Sequence, residues 1–314
     1  MIFILSPIAE KTINDVMAWL LASGQRVMRV TEETMPEISV DINEAKVSIN
    51  GINISEFLSF WVRKGYFTYQ IEESEAKAEV KNDVKKYLGR EFGILSDFVI
   101  RQLETKQHLG NYFQSNPNKL THLQLAQEAG LSIPQTRITQ SKTDLKAFKN
   151  ECGAIITKSI KDSFTGTYEG TYYYNHTEKV TNEIIEAMPE TFFPSLVQEE
   201  LDKEYELRIV FVKEKVWAMA IFSQNDPKTA VDWRNYNNEK PNRLVPYLLP
   251  KTVLSQIKKF ARLAKLNTGA IDMVVAKDKR HVFLECNPNG QISMVSQKCN
   301  YPIEKYIANF LINA

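Results

Sequence analysis

The sequence predicts an α/β protein, and three observations carry that expectation. The chain opens on an apolar run, Ile2–Leu5. Ile13, Val16, Met17 and Leu20 follow at helical spacing, then a helix-ending Gly24 and a second apolar run, Val27–Val30. A strand-helix-strand opening of this kind builds a parallel sheet. Further on, Ser141-Lys142-Thr143-Asp144 resembles a capping box that starts a helix, and residues 154–158 follow as a buried strand. Near the C-terminus, residues 271–276 and 281–285 flank a polar turn and form a last hairpin.

The rest of the chain fits between these landmarks. Residues 46–54 alternate around Asn50-Gly51, a type I′ hairpin signal. Residues 57–62 are another apolar run, ending in Arg63-Lys64-Gly65. Residues 72–109 are charged, helical in pattern and free of proline. Asn116-Pro117-Asn118 then breaks the chain and sets a first boundary. Leu120, Leu123, Leu125 and Ala129 mark a short helix ending at Gly130, and Ile133-Pro134 starts an extended piece. Residues 161–170 are polar, contain two glycines and read as a mobile loop. Residues 195–198 are strand-like, and residues 207–212 pair with 216–222 through Lys213-Glu214-Lys215. Residues 225–246 are polar and irregular, with Trp233 and Tyr236 embedded, and residues 253–266 are a helix. The divisions expected are 1–115, 116–195 and 196–314.

Composition narrows the function. The formal charge is +1, which argues against binding a nucleic-acid backbone by bulk charge. Cys152, Cys286 and Cys299 show no CxxC spacing and no paired histidines, so neither zinc nor a disulfide framework is expected. That usage suggests a reducing, cytoplasmic setting. No stretch has the length of a membrane span, and the N-terminus lacks the basic region of a signal peptide.

Chemistry concentrates near the C-terminus. Asp272 sits inside one apolar strand and Glu285 ends the other, where packing would favour hydrophobic residues. An antiparallel hairpin brings such acids together, and Asn287 follows two residues on, on the same side. Three hard oxygen ligands without histidine or thiolate suit Mg²⁺ or Mn²⁺ shared with phosphate. Upstream, Lys158 ends the strand Ala154-Ile-Ile-Thr-Lys, and Lys119 opens a helix near N–H groups that favour anions. Arg208 lies on the apolar strand Leu207-Arg-Ile-Val-Phe-Val and needs a carboxylate or phosphate partner. No histidine pattern supports a serine or cysteine nucleophile, and GxxxxGK[ST] is absent.

Asp272, Glu285 and Asn287 in this order resemble the final metal-binding strand pair of the ATP-grasp superfamily. Lys119, before Leu123-Gln-Leu-Ala and Gly130-Leu-Ser-Ile-Pro134, is similar to one ATP-contacting lysine, and Lys158 to the other. The resemblance implies an ATP-grasp fold: two α+β subdomains clamping ATP, preceded by an α/β pre-ATP-grasp domain at 1–115. The central subdomain, 116–195, would carry the lysine strand and a flap formed by the 161–170 loop, whose other reading is an ordinary surface loop. The last, 196–314, would carry hinge, arginines and metal site. The resemblance further implies ATP, with two Mg²⁺ ions or Mn²⁺ on Asp272, Glu285 and Asn287. Leu196-Val-Gln-Glu-Glu-Leu201 resembles the hinge, so Glu199, Glu200 and Leu201 are adenine-site residues. Glu206-Leu-Arg208 resembles an Asp-x-Arg motif with Glu in place of the commoner Asp. Glu206 is then either a ribose contact or an exposed strand acid. Asp232-Trp-Arg234 resembles the element that places a second arginine near the transferring phosphate. Its other reading is a structural Asp232–Arg234 pair.

The resemblance narrows further. Phe60-Trp-Val-Arg-Lys-Gly65, Asn116-Pro-Asn-Lys119 and Phe283-Leu-Glu-Cys-Asn-Pro-Asn-Gly-Gln291 look like the ATP-grasp peptide maturases of the microviridin and graspetide type. That implies activation of Asp or Glu side chains of a ribosomal precursor peptide, with leader and core, and their joining to Ser, Thr or Lys. It also implies a homodimer. The tyrosine-rich 168–174 stretch either faces a peptide groove or is half-buried strand. The alternatives are a glutamate-ligase-type enzyme that adds free amino acids, or an ATP-binding regulatory protein without turnover.

Overall fold

The computed structural model describes residues 1–70, 78–161, 165–174, 177–224, 239 and 241–313. The chain gathers into two compact units. The first takes residues 1–115, 266–269 and 291–314, and the second takes 116–265 and 270–290. Residues 291–314, given to the last subdomain on sequence, thus cluster with the N-terminal unit.

The first unit is built on a parallel sheet. Its strands are β1 (Ile2–Leu5), β2 (Val27–Val30), β6 (Ser59–Val62) and β7 (Gln107–Leu109), in the order β2-β1-β6-β7. All four residues of β1 are buried, as expected of a parallel strand covered on both faces. Between β2 and β6 the chain forms a small antiparallel meander, β3 (Ile38–Asp41), β4 (Lys46–Ile49) and β5 (Ile52–Asn53), around the expected Asn50-Gly51 turn. The helix Lys11–Ala22 starts where Glu10 accepts the Ile13 N–H at 2.9 Å. The helix Ala78–Glu104 stops short of the expected 109, and residues 107–109 pair with β6 instead. Two short helices, Ser293–Cys299 and Ile303–Ile312, complete the unit, the latter packed on the helix Lys11–Ala22 and on β6 and β7. Ser59 donates to the Leu311 carbonyl at 2.7 Å there.

The second unit holds two larger sheets. The first contains β8 (Thr136–Ser141), β9 (Ile155–Lys158), β12 (Glu178–Lys179) and β13 (Thr191–Glu199), in the order β12-β9-β13-β8. Leu145 and Phe148 of the helix Lys142–Cys152 and Ile185 of the helix Asn182–Ala187 cover one face, packing on Ile155 and Val197. The pleat then turns Lys158, Leu196 and Gln198 to the other face.

The 161–170 stretch differs from the expected loop. Residues Thr165–Tyr168 form β10 and pair antiparallel with β11, Thr171–Tyr174. Glu169 and Gly170 make the turn at φ 47° and 78°. Threonine and tyrosine favour a pleated strand, and the two-residue turn closes it. Residues 162–164 lie outside the described residues.

The second sheet contains β14 (Lys203–Val212), β15 (Lys215–Phe222), β16 (Arg243–Tyr247), β17 (Thr268–Ala276) and β18 (His281–Asn287), in the order β16-β15-β14-β17-β18. Part of the stretch expected to be irregular is therefore strand, since β16 pairs with β15. Residues 225–238 and 240 lie outside the described residues. The helix Lys119–Glu128 packs on β18 and on the helix Lys251–Leu263, where Phe260 meets Phe283 at 5.0 Å.

Candidate active site

The hairpin of β17 and β18 sets the centre of the site. Asp272 stands directly opposite Glu285, and Ala270 opposite Asn287. The register shifts after Asp272, because Met273 pairs with Phe283 and Leu284 is the extra residue. A bulge of this kind re-aims side chains beside functional sites. Asp272, Glu285 and Asn287 share one face of the hairpin, as their spacing predicts.

Each acid has its own cation. Arg208, on the neighbouring β14, donates through Nη1 to both oxygens of Asp272, at 2.8 and 2.9 Å. Lys119 Nζ lies 3.1 Å from Glu285. The Asn287 side-chain oxygen accepts the Asn289 N–H at 2.8 Å, and the Gly290 N–H bonds the Asn287 carbonyl at 3.0 Å. This turn presses Gly290 against the site. A Cβ there would lie 2.5 Å from the Ala270 Cβ and 2.8 Å from Arg208 Nη2, so glycine is required for space. Arg208 Nε is buried without a hydrogen-bond partner among the described residues.

Among the described residues no group of three or more His, Cys, Asp and Glu could hold a metal by itself. The candidate set is two carboxylates and an amide oxygen. That donor set fits a hard cation taking its remaining oxygens from water or phosphate.

The other expected residues spread from this centre. Lys158 lies opposite Leu196, on the face of its sheet away from the helices. Gln198 and Glu199 end β13, and Leu201 follows in the link to β14. The Glu199 and Glu200 N–H groups are bonded within the fold, to Gln135 and Ala154 carbonyls at 3.0 and 2.9 Å. Glu200 pairs with Lys179 at 2.6 Å. Glu199 Oε1 is buried with no hydrogen-bond partner among the described residues. Glu206 is 6% exposed, not an exposed strand acid. Lys203 Nζ reaches it at 2.7 Å, and Ser223 Oγ donates to it at 3.1 Å. Lys119 is confirmed as the first residue of its helix, but Asn118 already accepts the Leu120 and Thr121 N–H groups. Its place is set by Glu285, and those helix-terminal N–H groups are satisfied. Arg234 and Asp232 lie outside the described residues.

Three neighbours were not legible in the sequence. Lys203 and Ser223 reach Glu206 from the flank of its own strand and from beyond β15. His122, one helical turn after Lys119, is 5% exposed and meets Phe260 edge-on at 5.4 Å. Burial lowers its pKa, partly offset by a hydrogen bond to the backbone of Cys286, between Glu285 and Asn287. The Lys119/His122 spacing was the available signal.

A lysine-bearing sheet followed by a second sheet that carries paired acids fits the ATP-grasp class of protein. Residues 116–311 match the model of the RimK-like ATP-grasp domain, and the chain belongs to that family. No curated protein matches it. Among solved structures, one similar chain is the macrocyclase MdnC from Microcystis aeruginosa MRC, bound with precursor peptide MdnA. It is 24% identical over 100% of both chains, with a TM-score of 0.79. A second is a Chryseobacterium gregarium RiPP-associated ATP-grasp ligase in complex with ADP and a leader and core peptide. It is 23% identical over 99% of this chain and 96% of that one, with a TM-score of 0.82. The ATP-grasp ligase PsnB, complexed with a phosphomimetic variant of its minimal precursor, Mg and ADP, is 19% identical. It covers 99% of this chain and 97% of its own, with a TM-score of 0.75.

Proposed function

We propose that the chain is an ATP- and Mg²⁺-dependent ligase acting on a ribosomal precursor peptide. It activates Asp or Glu side chains as acyl phosphates and joins them to Ser, Thr or Lys side chains. The observation that carries the reading is the Asp272–Glu285 pair, with Arg208 on one carboxylate and Lys119 on the other. Two orphaned buried atoms agree with it: Arg208 Nε suits a phosphate oxygen, and Glu199 Oε1 suits the amino group of a base.

In this reading Asp272, Glu285 and Asn287 hold magnesium, as two ions, with manganese as a substitute. Magnesium, when bound, neutralises charge on the transferring phosphate. Arg208 fixes Asp272 with one arm and keeps Nε for phosphate, while Lys119 and Lys158 act as compact cations. Arg234, outside the described residues, is assigned to the same phosphate by the family resemblance alone. Glu199, Glu200 and Leu201 border adenine, and Glu206 the ribose. A peptide carboxylate oxygen attacks the γ-phosphorus, and the bond to ADP breaks. The acceptor hydroxyl or amine then attacks the acyl carbon, loses its proton, and phosphate leaves. A homodimeric state and a cytoplasmic location belong to the same proposal.

The peptide-bound relatives support the substrate class. On this chain, the β10–β11 hairpin exposes Tyr168, Tyr172 and Tyr173, a surface fit for a leader segment. Changing them to alanine should weaken precursor binding. Unchanged affinity would remove the hairpin from the reading.

The test of function is mass spectrometry of a short Thr/Asp/Glu/Lys-rich peptide, encoded beside this gene, incubated with ATP and Mg²⁺. Loss of one water per ring is expected, and Glu285→Gln should bind the peptide yet close no ring. Full activity of that variant would sink the metal assignment. The RimK-like family match favours a second reading, addition of free amino acids to a carboxylate. A mass gain in place of water loss would select it.

A further inference from the structure

The parallel sheet of the first unit reverses its winding between β1 and β6. From β1 the chain crosses through the helix Lys11–Ala22 to β2 on one side, and from β6 through the helix Ala78–Glu104 to β7 on the other. The two helices cover opposite faces. The helix Lys11–Ala22 packs with the helix Ile303–Ile312, to which Ser59 is bonded. The helix Ala78–Glu104 packs through Val99, Ile100 and Leu103 on Phe3, Leu5, Phe60 and Val62, on the other side of the pleat. In open sheets wound on both faces, ligands bind at such a switch point, outside the carboxyl ends of the strands. Here those ends carry charge. Arg63 and Lys64 follow β6, and Glu10 caps the helix after β1. The Arg63 N–H bonds the Leu5 carbonyl at 3.0 Å, and a Cβ on Gly65 would lie 2.3 Å from the Leu5 carbonyl carbon. The segment Arg63-Lys64-Gly65 is therefore pinned over the gap between the two strands.

We propose that this switch point binds a side-chain carboxylate of the precursor peptide through Lys64. The neighbouring charges are engaged inside the unit. Arg29 donates to Ser6 Oγ at 2.9 Å, to Asn14 at 2.7 Å and to the Ile8 carbonyl at 3.0 Å. Arg63 is 2% exposed and holds Glu10 at 2.9 Å, and the second Glu10 oxygen accepts the Ile13 N–H. Glu32 accepts the Ile8 N–H at 3.0 Å. Lys64 differs. Its side chain is 42% exposed, and its one ion pair among the described residues is Glu10 at 3.7 Å, beyond hydrogen-bond reach. Its ammonium keeps donors for a ligand. Three cations, Arg29, Arg63 and Lys64, meet two carboxylates, Glu10 and Glu32, which leaves one net positive charge. That excess suits a single carboxylate, whereas a phosphate dianion would be repelled by Glu10. A compact ammonium on a flexible stem accepts Asp or Glu from several directions.

The site rests on the peptide substrate of the proposed function and adds to it a place where the peptide is held. Fluorescence anisotropy of the labelled precursor peptide, on the full chain with ADP and Mg²⁺, tests it. Lys64→Gln should raise the dissociation constant roughly tenfold, and Lys64→Arg should restore most of the loss. Peptides with each acid changed in turn to its amide identify the partner. One of them should bind the wild type roughly tenfold more weakly than the parent peptide, yet bind Lys64→Gln as well as the parent does. Lys64→Gly separates binding from folding, because Lys64 sits at φ 58°, a backbone that glycine adopts freely. It should bind as weakly as Lys64→Gln and melt no lower than the wild type. A Lys64→Gln protein that binds as tightly as the wild type would overturn the site and leave the ligase reading intact, as would amide peptides that weaken both proteins equally. A Lys64→Gly protein that melts well below the wild type would assign the lysine to the fold instead. A wild type that shows the Lys64 dependence but closes no ring would overturn the ligase reading and keep the site. A wild type that binds no precursor would overturn both.

Discussion

At the residue scale, the site depends on a guanidinium held on two sides. Arg208 is fixed by Asp272, and Gly290 leaves it the room that a Cβ would take. Gly290→Ala should push it off Asp272. The unfolding free energy from urea denaturation should fall by about 1–3 kcal/mol, and ATP turnover should drop roughly 100-fold from misplacement of the charge. Two histidines give a pH signature. Burial lowers the pKa of His122 and of His281, below the ordinary 6.5. The unfolded chain therefore binds more protons in that window, so stability rises with pH through it and is lost as pH falls below 6.5. Melting temperatures measured from pH 7.5 down to 5.5 should fall, and less so for His122→Phe. Asp272, Glu285 and Asn287 stood out in the sequence because acids in apolar strands contradict their surroundings. Glu206 did not reveal its environment, because Lys203 and Ser223 become its partners only once strands pair.

At the element scale, long alternating strands and capped helices were legible, and short ones were not. β14 and β15 carry enough apolar residues to declare themselves. β7 has three residues, and its burial comes from β6 and from the returning C-terminal helix. The ties that hold the first unit's strand ends were equally hidden. Arg63 Nε bonds Glu10 at 2.9 Å, and both are buried. Burial alone would push the Glu10 carboxyl up. The Arg63 charge and hydrogen bond, the Ile13 N–H and Lys64 outweigh it, leaving it below 4.5. Its contribution is thus present above the unfolded value and lost as pH falls through the folded one. Glu10→Gln should cost about 3 kcal/mol near neutral pH by stranding Arg63. Urea denaturation should show that difference shrinking below about pH 4.

At the scale of the whole molecule, the sequence boundary at Asn116 coincides with the change of unit. The return of residues 291–314 to the first unit was not visible, because an amphipathic helix does not say which sheet it will cover. That return has a testable weight. Ile303, Ile307 and Leu311 are fully buried. Removing residues 291–314 should therefore leave the first unit open to limited proteolysis, while the full chain resists.

The same path has a consequence in time. The first unit begins at Met1 but needs the helix Ile303–Ile312, so its hydrophobic strands wait while the second unit is translated. Residues 116–314 take on the order of 10–40 s to synthesise. During that interval β6 and the helix Lys11–Ala22 lack their cover. A nascent chain arrested near residue 290 should then bind cellular holdase chaperones through its first hundred residues, whichever parts of the second unit have already folded.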